Sequence, residues 1–118
     1  MRNLFYFGLA SFTLLVGYAS AALADPPTAE DLTGKTICWE TSAFGRVTDT
    51  YGEGGKFSGA AGEGTWAITP DGVKIDSEGW HLVENIQKLP DGTFIDDVKI
   101  GSTPVHSTGK YCEPSLDD

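Results

Sequence analysis

The fold is decided by a stretch in the middle of the chain, GTWAITPDGVKID, residues 64–76. Two runs rich in β-branched and aromatic residues, Gly64–Thr69 and Val73–Asp76, flank the tripeptide Pro70-Asp71-Gly72. Proline fixes φ, the aspartate side chain can hydrogen-bond to nearby backbone, and glycine adopts positive φ without steric cost. The stretch therefore predicts a β-hairpin.

The same pattern continues on both sides of this hairpin. Pro90-Asp91-Gly92 separates two further strand-like runs, Trp80–Gln87 and Thr93–Ile100, and predicts a second hairpin. Because no helix of useful length lies between these short runs, neighbouring strands are expected to be antiparallel. The remaining predicted strands are Lys35–Thr41, Arg46–Tyr51, Lys56–Ser58 and Lys110–Cys112.

This arrangement predicts an all-β domain of about seven or eight short strands, either a small antiparallel up-and-down barrel or a half-open barrel. A compact sandwich is the alternative. The barrel is preferred because closure removes exposed sheet edges.

The N-terminal segment has the pattern of a cleaved signal peptide, residues 1–24. Arg2 precedes a largely apolar run, and Ala22-Leu23-Ala24 supplies the small residues of a cleavage site. Glycine, serine and threonine interrupt the run, so a membrane anchor is disfavoured and no span is expected in the mature chain. The location expected is periplasmic or secreted.

The rest of the chain divides into three parts. Residues 25–33 form an extended leader and a short helical turn, which Thr28 caps with Asp31 three positions later. Residues 34–112 form the β domain, and residues 113–118 form an acidic tail. The length of 118 residues allows a single domain, expected to be a monomer.

The charge balance narrows the choice of partners. Eight Lys and Arg residues stand against 17 Asp and Glu residues, giving a formal net charge of −9. Such a surface repels phosphate, so nucleic acid is excluded as a general partner.

The two cysteines, Cys38 and Cys112, lie near the two ends of the β domain. In an exported chain they predict one disulfide, which ties the first strand to the last. A metal site or a reactive thiol pair is the alternative, but such sites usually have closer spacing, such as C-x-x-C.

Three segments carry a resemblance to a known class of protein: Leu32–Trp39, Tyr51–Phe57 and Gly64–Ile68. They resemble parts of small exported bacterial lipocalin-like β-domains, many of which have no assigned activity. The resemblance implies a barrel-like fold and a place in the bacterial cell envelope, and it implies no functional residue.

Strand phase gives the most specific functional signal. Alternation within residues 47–51, 82–86 and 94–98 puts Asp49, Glu84 and Asp96 on the same face as large apolar neighbours. If the strands are regular, the three carboxyl groups converge on the interior, where an unpaired charge is costly. This predicts a lumen that binds a cationic or polyhydroxyl small molecule. Alternatively, a bulge shifts the phase, turns the acids to solvent and makes Val83 or Ile95 the core residue.

Trp80 is the other candidate ligand-binding residue. It follows Ser77-Glu78-Gly79 at a strand opening, where a half-exposed indole can contact a sugar or a partner. The other large aromatic residues are expected to pack in the core: Trp39, Tyr51, Phe57, Trp66, Phe94 and Tyr111.

No catalytic residue, metal ligand or cofactor is predicted. His81 and His106 lie far apart in sequence and belong to no closely spaced metal motif. Nucleophile-elbow, phosphate-loop and dinucleotide signatures are missing, and the adjacent Asp96 and Asp97 point to opposite faces of a strand. A hydrolase using Glu84 and Asp96 is the least favoured class.

Two functions are therefore expected, in order. The first is a non-enzymatic barrel that binds an unknown small molecule. The second is a protein-interaction or inhibitor domain that docks its acidic surface loops onto a cationic protein such as a lysozyme, with Ser107–Tyr111 as an inserted loop. Small periplasmic lysozyme inhibitors resemble this chain in size, export, disulfide and a loop with Ser, Gly and Tyr.

Overall fold

The computed structural model describes residues 24–114, which form a closed barrel of eight antiparallel strands with one short helix. The predicted all-β barrel with a preceding helical turn is thereby confirmed. In chain order the elements are α1 (Ala29–Leu32), β1 (Lys35–Thr41), β2 (Gly45–Tyr51), a 3-10 turn (Glu53–Gly55), β3 (Lys56–Gly59), β4 (Gly62–Thr69), β5 (Gly72–Ser77), β6 (Trp80–Lys88), β7 (Phe94–Ile100) and β8 (Thr103–Tyr111).

Each strand pairs with the next one in the chain, and β8 returns to pair with β1. In that closing pair Cys38 lies opposite Lys110, and a disulfide joins Cys38 to Cys112 just beyond β8. The predicted disulfide is confirmed. Closure of the sheet rules out the sandwich alternative.

The helical turn has the expected cap. The backbone N–H of Thr28 donates to Asp31 Oδ2 at 2.8 Å, and the backbone N–H of Asp31 donates to Thr28 Oγ1 at 3.2 Å. Two bonds dock the helix on the barrel: Lys88 Nζ lies 2.9 Å from Asp31 Oδ1, and the Tyr111 hydroxyl donates to the Asp31 carbonyl at 2.7 Å. Leu32, the last residue of the helix, is fully buried.

Both predicted hairpins are present, but the last strand is longer than predicted. The turns at residues 70–72 and 90–92 join β4 to β5 and β6 to β7. The sequence predicted only Lys110–Cys112 as the final strand, whereas β8 begins at Thr103. Ser107–Tyr111 is therefore not an inserted loop, and that prediction is wrong.

The reason is visible on the inner face of β8. Val105, Ser107 and Gly109 point inward and are buried, and their small size suits the space beside β1. A Cβ on Gly109 would lie 2.8 Å from Trp39 Cζ3, so the indole occupies the room that a side chain would need. Proline and glycine are weak strand signals, and the packing of Trp39 explains the glycine at position 109.

The barrel has two unlike ends. The closed end carries α1 and the turns β2–β3, β4–β5 and β6–β7, and Leu32 of α1 belongs to the cluster of buried apolar residues. The open end carries the turns β1–β2, β3–β4, β5–β6 and β7–β8. The core residues are Leu32, Ile37, Trp39, Tyr51, Phe57, Trp66, Val73, Ile75, Ile86 and Phe94.

Two predicted segments fall largely outside the described residues. Of the predicted signal peptide, 1–24, only Ala24 is described, and of the predicted tail, 113–118, only Glu113 and Pro114 are described. Among the described residues, no helix has the length and apolar character needed to cross a membrane.

Candidate functional site

A cavity of about 340 Å³ occupies the open half of the barrel. All four residues predicted to bind a ligand line it, namely Asp49, Glu84, Asp96 and Trp80. The rest of the lining is mostly apolar: Trp39, Thr41, Phe44, Val47, Phe57, Ala60, Ala61, Leu82, Val98, Ile100, Val105 and Ser107.

The three carboxyl groups occupy equivalent positions along their strands. Asp49 on β2, Glu84 on β6 and Asp96 on β7 are each the third inward-facing residue from the open end of their strand. Their residues are 6%, 8% and 5% exposed. The strands therefore have the phase that points the acids inward, and Val83 is exposed on the outside instead.

Asp49 is held by the neighbouring hairpin. Its Oδ1 accepts a 2.9 Å hydrogen bond from the backbone N–H of Ala60 in the β3–β4 turn. A Cβ on Gly59 would lie 2.8 Å from Asp49 Cγ, so glycine at this position leaves room for the carboxyl group. Burial raises the pKa of Asp49, and the Ala60 hydrogen bond opposes part of that rise.

Glu84 and Asp96 interact with one another. Burial raises the pKa of Glu84 well above its usual range, and the nearby Asp96 and Asp49 raise it further. Burial also raises the pKa of Asp96, to about 6, although a hydrogen bond with Glu84 moderates the change. The two carboxyl groups titrate as a coupled pair, and burial raises the pKa of both.

Three buried polar atoms near this layer have no hydrogen-bond partner among the described residues: Trp39 Nε1, Tyr51 Oη and Asp96 Oδ1. Burial, then Glu84, Asp49 and Asp96 in that order, raise the pKa of Tyr51 well above its usual range, so the phenol stays protonated. Buried polar groups in folded proteins are nearly always hydrogen-bonded. Trp39 and Asp96 line the cavity, whereas Tyr51 does not, so the described residues leave one donor and one acceptor without a partner at the cavity wall.

Two aromatic side chains stand at the entrance. Trp80 begins β6 and is 43% exposed, and Phe44 in the β1–β2 turn is 60% exposed. Thr41 fixes that turn, since its Oγ1 accepts from the Phe44 N–H at 2.8 Å and donates to the Gly45 carbonyl at 2.8 Å. The entrance is therefore lined by apolar surface on a hydrogen-bonded turn.

The histidines lie on the outer face of the barrel, away from the cavity. His81 Nδ1 is 2.9 Å from Asp76 Oδ1 on the adjacent strand, and His106 contacts Asp97 in the same cross-strand manner. Asp97 thus faces outward while Asp96 faces inward, as the alternation predicts. Within residues 24–114 no group of three or more His, Cys, Asp or Glu side chains is placed to hold a metal ion.

Sequence reasoning missed several lining residues. Phe44 lies in a turn outside every predicted strand, and the signal available was a bulky aromatic residue at a hairpin tip, where small polar residues are usual. Val105 and Ser107 were missed because β8 was not recognised beyond its last residues.

Comparisons of the chain with protein-family models, with curated proteins and with solved structures give no match.

Proposed function

We propose that this protein is an exported, non-enzymatic binding module that holds a small molecule in the open half of its barrel. The observation that carries the proposal is the cavity of about 340 Å³, whose mostly apolar lining includes two buried polar atoms, Trp39 Nε1 and Asp96 Oδ1, that have no hydrogen-bond partner among the described residues. Ligand pockets commonly measure about 300–1,000 Å³ and combine apolar walls with a few polar groups.

The non-enzymatic part of the proposal rests on the side chains available. Among the described residues that line the cavity there is no histidine, cysteine or lysine to serve as a nucleophile or base beside the carboxyl groups. Glu84 and Asp96 remain the only candidates for a hydrolase from the sequence, and that class stays the least favoured.

Two features support export. The Cys38–Cys112 disulfide is typical of proteins that fold in an oxidising compartment, and the sequence of residues 1–24 has the pattern of a signal peptide. Together these two features support a periplasmic or secreted location.

The alternative is a domain that docks onto a cationic protein such as a lysozyme. The net charge of −9 favours such an encounter, but Ser107–Tyr111 lies within β8, and the Tyr111 hydroxyl already donates to the Asp31 carbonyl. The segment named for docking is thus part of the barrel wall. The small-molecule proposal is preferred because it accounts for the unpartnered interior atoms.

Blocking the cavity tests the proposal. Prodan, a neutral fluorophore that brightens and shifts to the blue in apolar surroundings, is titrated into the wild-type protein and into Leu82→Trp. Leu82 lines the cavity, so the larger side chain is expected to lower prodan affinity at least tenfold.

Val83→Trp is the matched control, because Val83 is the next residue along β6 and is exposed on the outer face. It should bind prodan like the wild-type protein. Equal binding by all three proteins, or no binding by the wild-type protein, would contradict the proposal. If wild-type protein then captures a cationic protein at low salt and releases it at high salt, the docking alternative takes its place.

A further inference from the structure

The interior acids lack a cation from their own chain. Among the described residues, every lysine and arginine lies on the outside of the barrel or at its closed end, and none lines the cavity. Lys88, the least exposed of them, pairs with Asp31 beside α1. Three inward carboxyl groups therefore face a space to which this part of the chain brings no positive charge.

The acceptor without a hydrogen-bond partner is a single carboxyl oxygen of Asp96. Asp96 is 5% exposed, lines the cavity, and its Oδ1 has no hydrogen-bond partner in the described structure. The Asp49 Oδ1, by contrast, accepts from Ala60. A ligand that donates a hydrogen bond and carries positive charge satisfies Asp96 in a way that an apolar molecule does not.

An organic cation suits these acids better than a metal ion. Within the described chain the carboxyl groups share a cavity but form no group placed to coordinate a metal. A primary ammonium has three N–H donors that can reach acceptors on different strands, whereas a metal ion requires its ligands at short, fixed distances.

The walls specify the rest of the ligand. Between the entrance and the carboxyl layer the lining is aromatic and aliphatic, including Phe44, Trp80, Leu82 and Val98. A sugar needs polar partners around its whole rim, and the lining supplies few beyond the acids themselves. At about 30 Å³ per water, the cavity equals the volume of roughly eleven water molecules, which leaves room for a body of one or two aromatic rings.

We infer that the ligand is a small primary amine with an apolar, ring-sized body, which enters between Phe44 and Trp80 with its ammonium directed at Asp96. The inference rests on the proposed function and names the class of ligand for that same cavity. The negative surface assists entry of such a cation, because charges of one sign raise the local concentration of the other.

The test compares amines with alcohols of the same shape. Calorimetric titration at pH 7 of phenethylamine against 2-phenylethanol, and of hexylamine against 1-hexanol, measures what the ammonium adds. Each amine is expected to bind at least tenfold more tightly than its alcohol. Glucose serves as the polyhydroxyl probe and is expected to bind more weakly than either amine.

Neighbouring aspartates supply the variant and its control. Asp96→Asn should remove most of the preference for amine over alcohol while leaving alcohol affinity within about twofold. Asp97→Asn, one residue further on the outer face, should keep the preference. If Asp96→Asn does not fold by near-ultraviolet circular dichroism, Asp96→Ser, which also removes the carboxyl group, is measured instead, with the same expectation.

The outcomes separate this inference from the proposed function. Equal binding of amines and alcohols, a preference for glucose, or an amine preference that survives Asp96→Asn would overturn the amine inference while prodan uptake still supports a binding cavity. Failure of prodan, amines and alcohols alike would overturn both.

Discussion

Trp66 and Trp39 lie in different halves of the barrel and differ in the hydrogen bonding of the indole N–H. At the closed end the Trp66 indole N–H donates to the Gly52 carbonyl at 2.8 Å, and the ring packs edge-on against Tyr51 with centroids 5.8 Å apart. In the open half Trp39 is buried as well, at 2% exposed, but its indole N–H has no partner among the described residues. The same side chain is thus part of a satisfied core in one place and part of a cavity lining in the other.

The difference extends to the rest of each end. At the closed end α1 covers the barrel and is fixed by its own capping box, by Lys88 and by Tyr111. In the open half the cavity brings three carboxyl groups together with apolar walls. The packing and hydrogen bonding described for α1 stabilise the folded protein at the closed end. The buried carboxyl groups, which destabilise the folded protein, line the open half.

Truncating one inward residue in each half gives the largest expected contrast. Phe94 is fully buried against Trp39 and Tyr111, so Phe94→Ala should lower the free energy of unfolding by about 3–5 kcal/mol. Leu82 is only half-buried and already faces the cavity, so Leu82→Ala should cost roughly 1 kcal/mol, below the usual range for a fully packed leucine. Urea unfolding of the oxidised proteins, followed by tryptophan fluorescence, measures both.

The slope of the urea transition serves as the check on this contrast, since it should be the same in both variants if only packing has changed. Similar losses of stability in the two variants would mean that the open half is packed as tightly as the closed end. The contrast between the ends would then fail.

The closed end could be predicted from sequence more fully than the cavity. Turn residues at 70–72 and 90–92, the Thr28 cap and strand periodicity are local signals, and the structure bears out each of them. The inward phase of Asp49, Glu84 and Asp96 could only be hypothesised, because a one-residue bulge would reverse it.

The rest depended on contacts between distant segments. The residues beside Gly59 in the sequence do not indicate its role, yet Gly59 leaves room for the Asp49 carboxyl group across the β2–β3 pair. The inner face of β8 lines the cavity because barrel closure pairs β8 with β1, which no local pattern encodes. The strand pattern and the resemblance both predicted a barrel, and the resemblance implied nothing about which interior residues meet.

The three buried carboxyl groups predict an unusual dependence of stability on pH. Burial raises the pKa of Asp96 to about 6 and raises the pKa of Asp49 and Glu84 as well. Between about pH 4, where such groups ionise in the unfolded chain, and these raised values, the folded protein binds more protons than the unfolded chain. The free energy of unfolding should therefore fall as pH rises from about 4 through 6 and above, with Asp96 contributing on the order of 2 kcal/mol.

Asp96→Asn should flatten this decline in urea-unfolding titrations between pH 4.5 and 8. Asp71→Asn is the control, because Asp71 is exposed in the β4–β5 turn, and it should leave the slope as it is in the wild-type protein. The lowered pKa of Asp31, caused first by its hydrogen bond with the Thr28 backbone and then by Lys88, acts in the other direction and only at lower pH. Stability that rises steadily from pH 4.5 to 8 would contradict the placement of the acids in the interior.

The smallest effect is expected where the helix joins the closed end. Thr28→Ala removes the side-chain half of the capping box, so the free energy of unfolding should fall by about 1 kcal/mol. Prodan affinity should stay unchanged, because α1 covers the end of the barrel opposite the entrance and none of its residues lines the cavity. Thr28→Ser, which keeps the hydroxyl, should restore most of the stability. If the Thr28→Ala variant is fully folded and yet loses prodan binding, the two ends are coupled through the core between them. The closed end would then set the shape of the cavity as well as the stability of the fold.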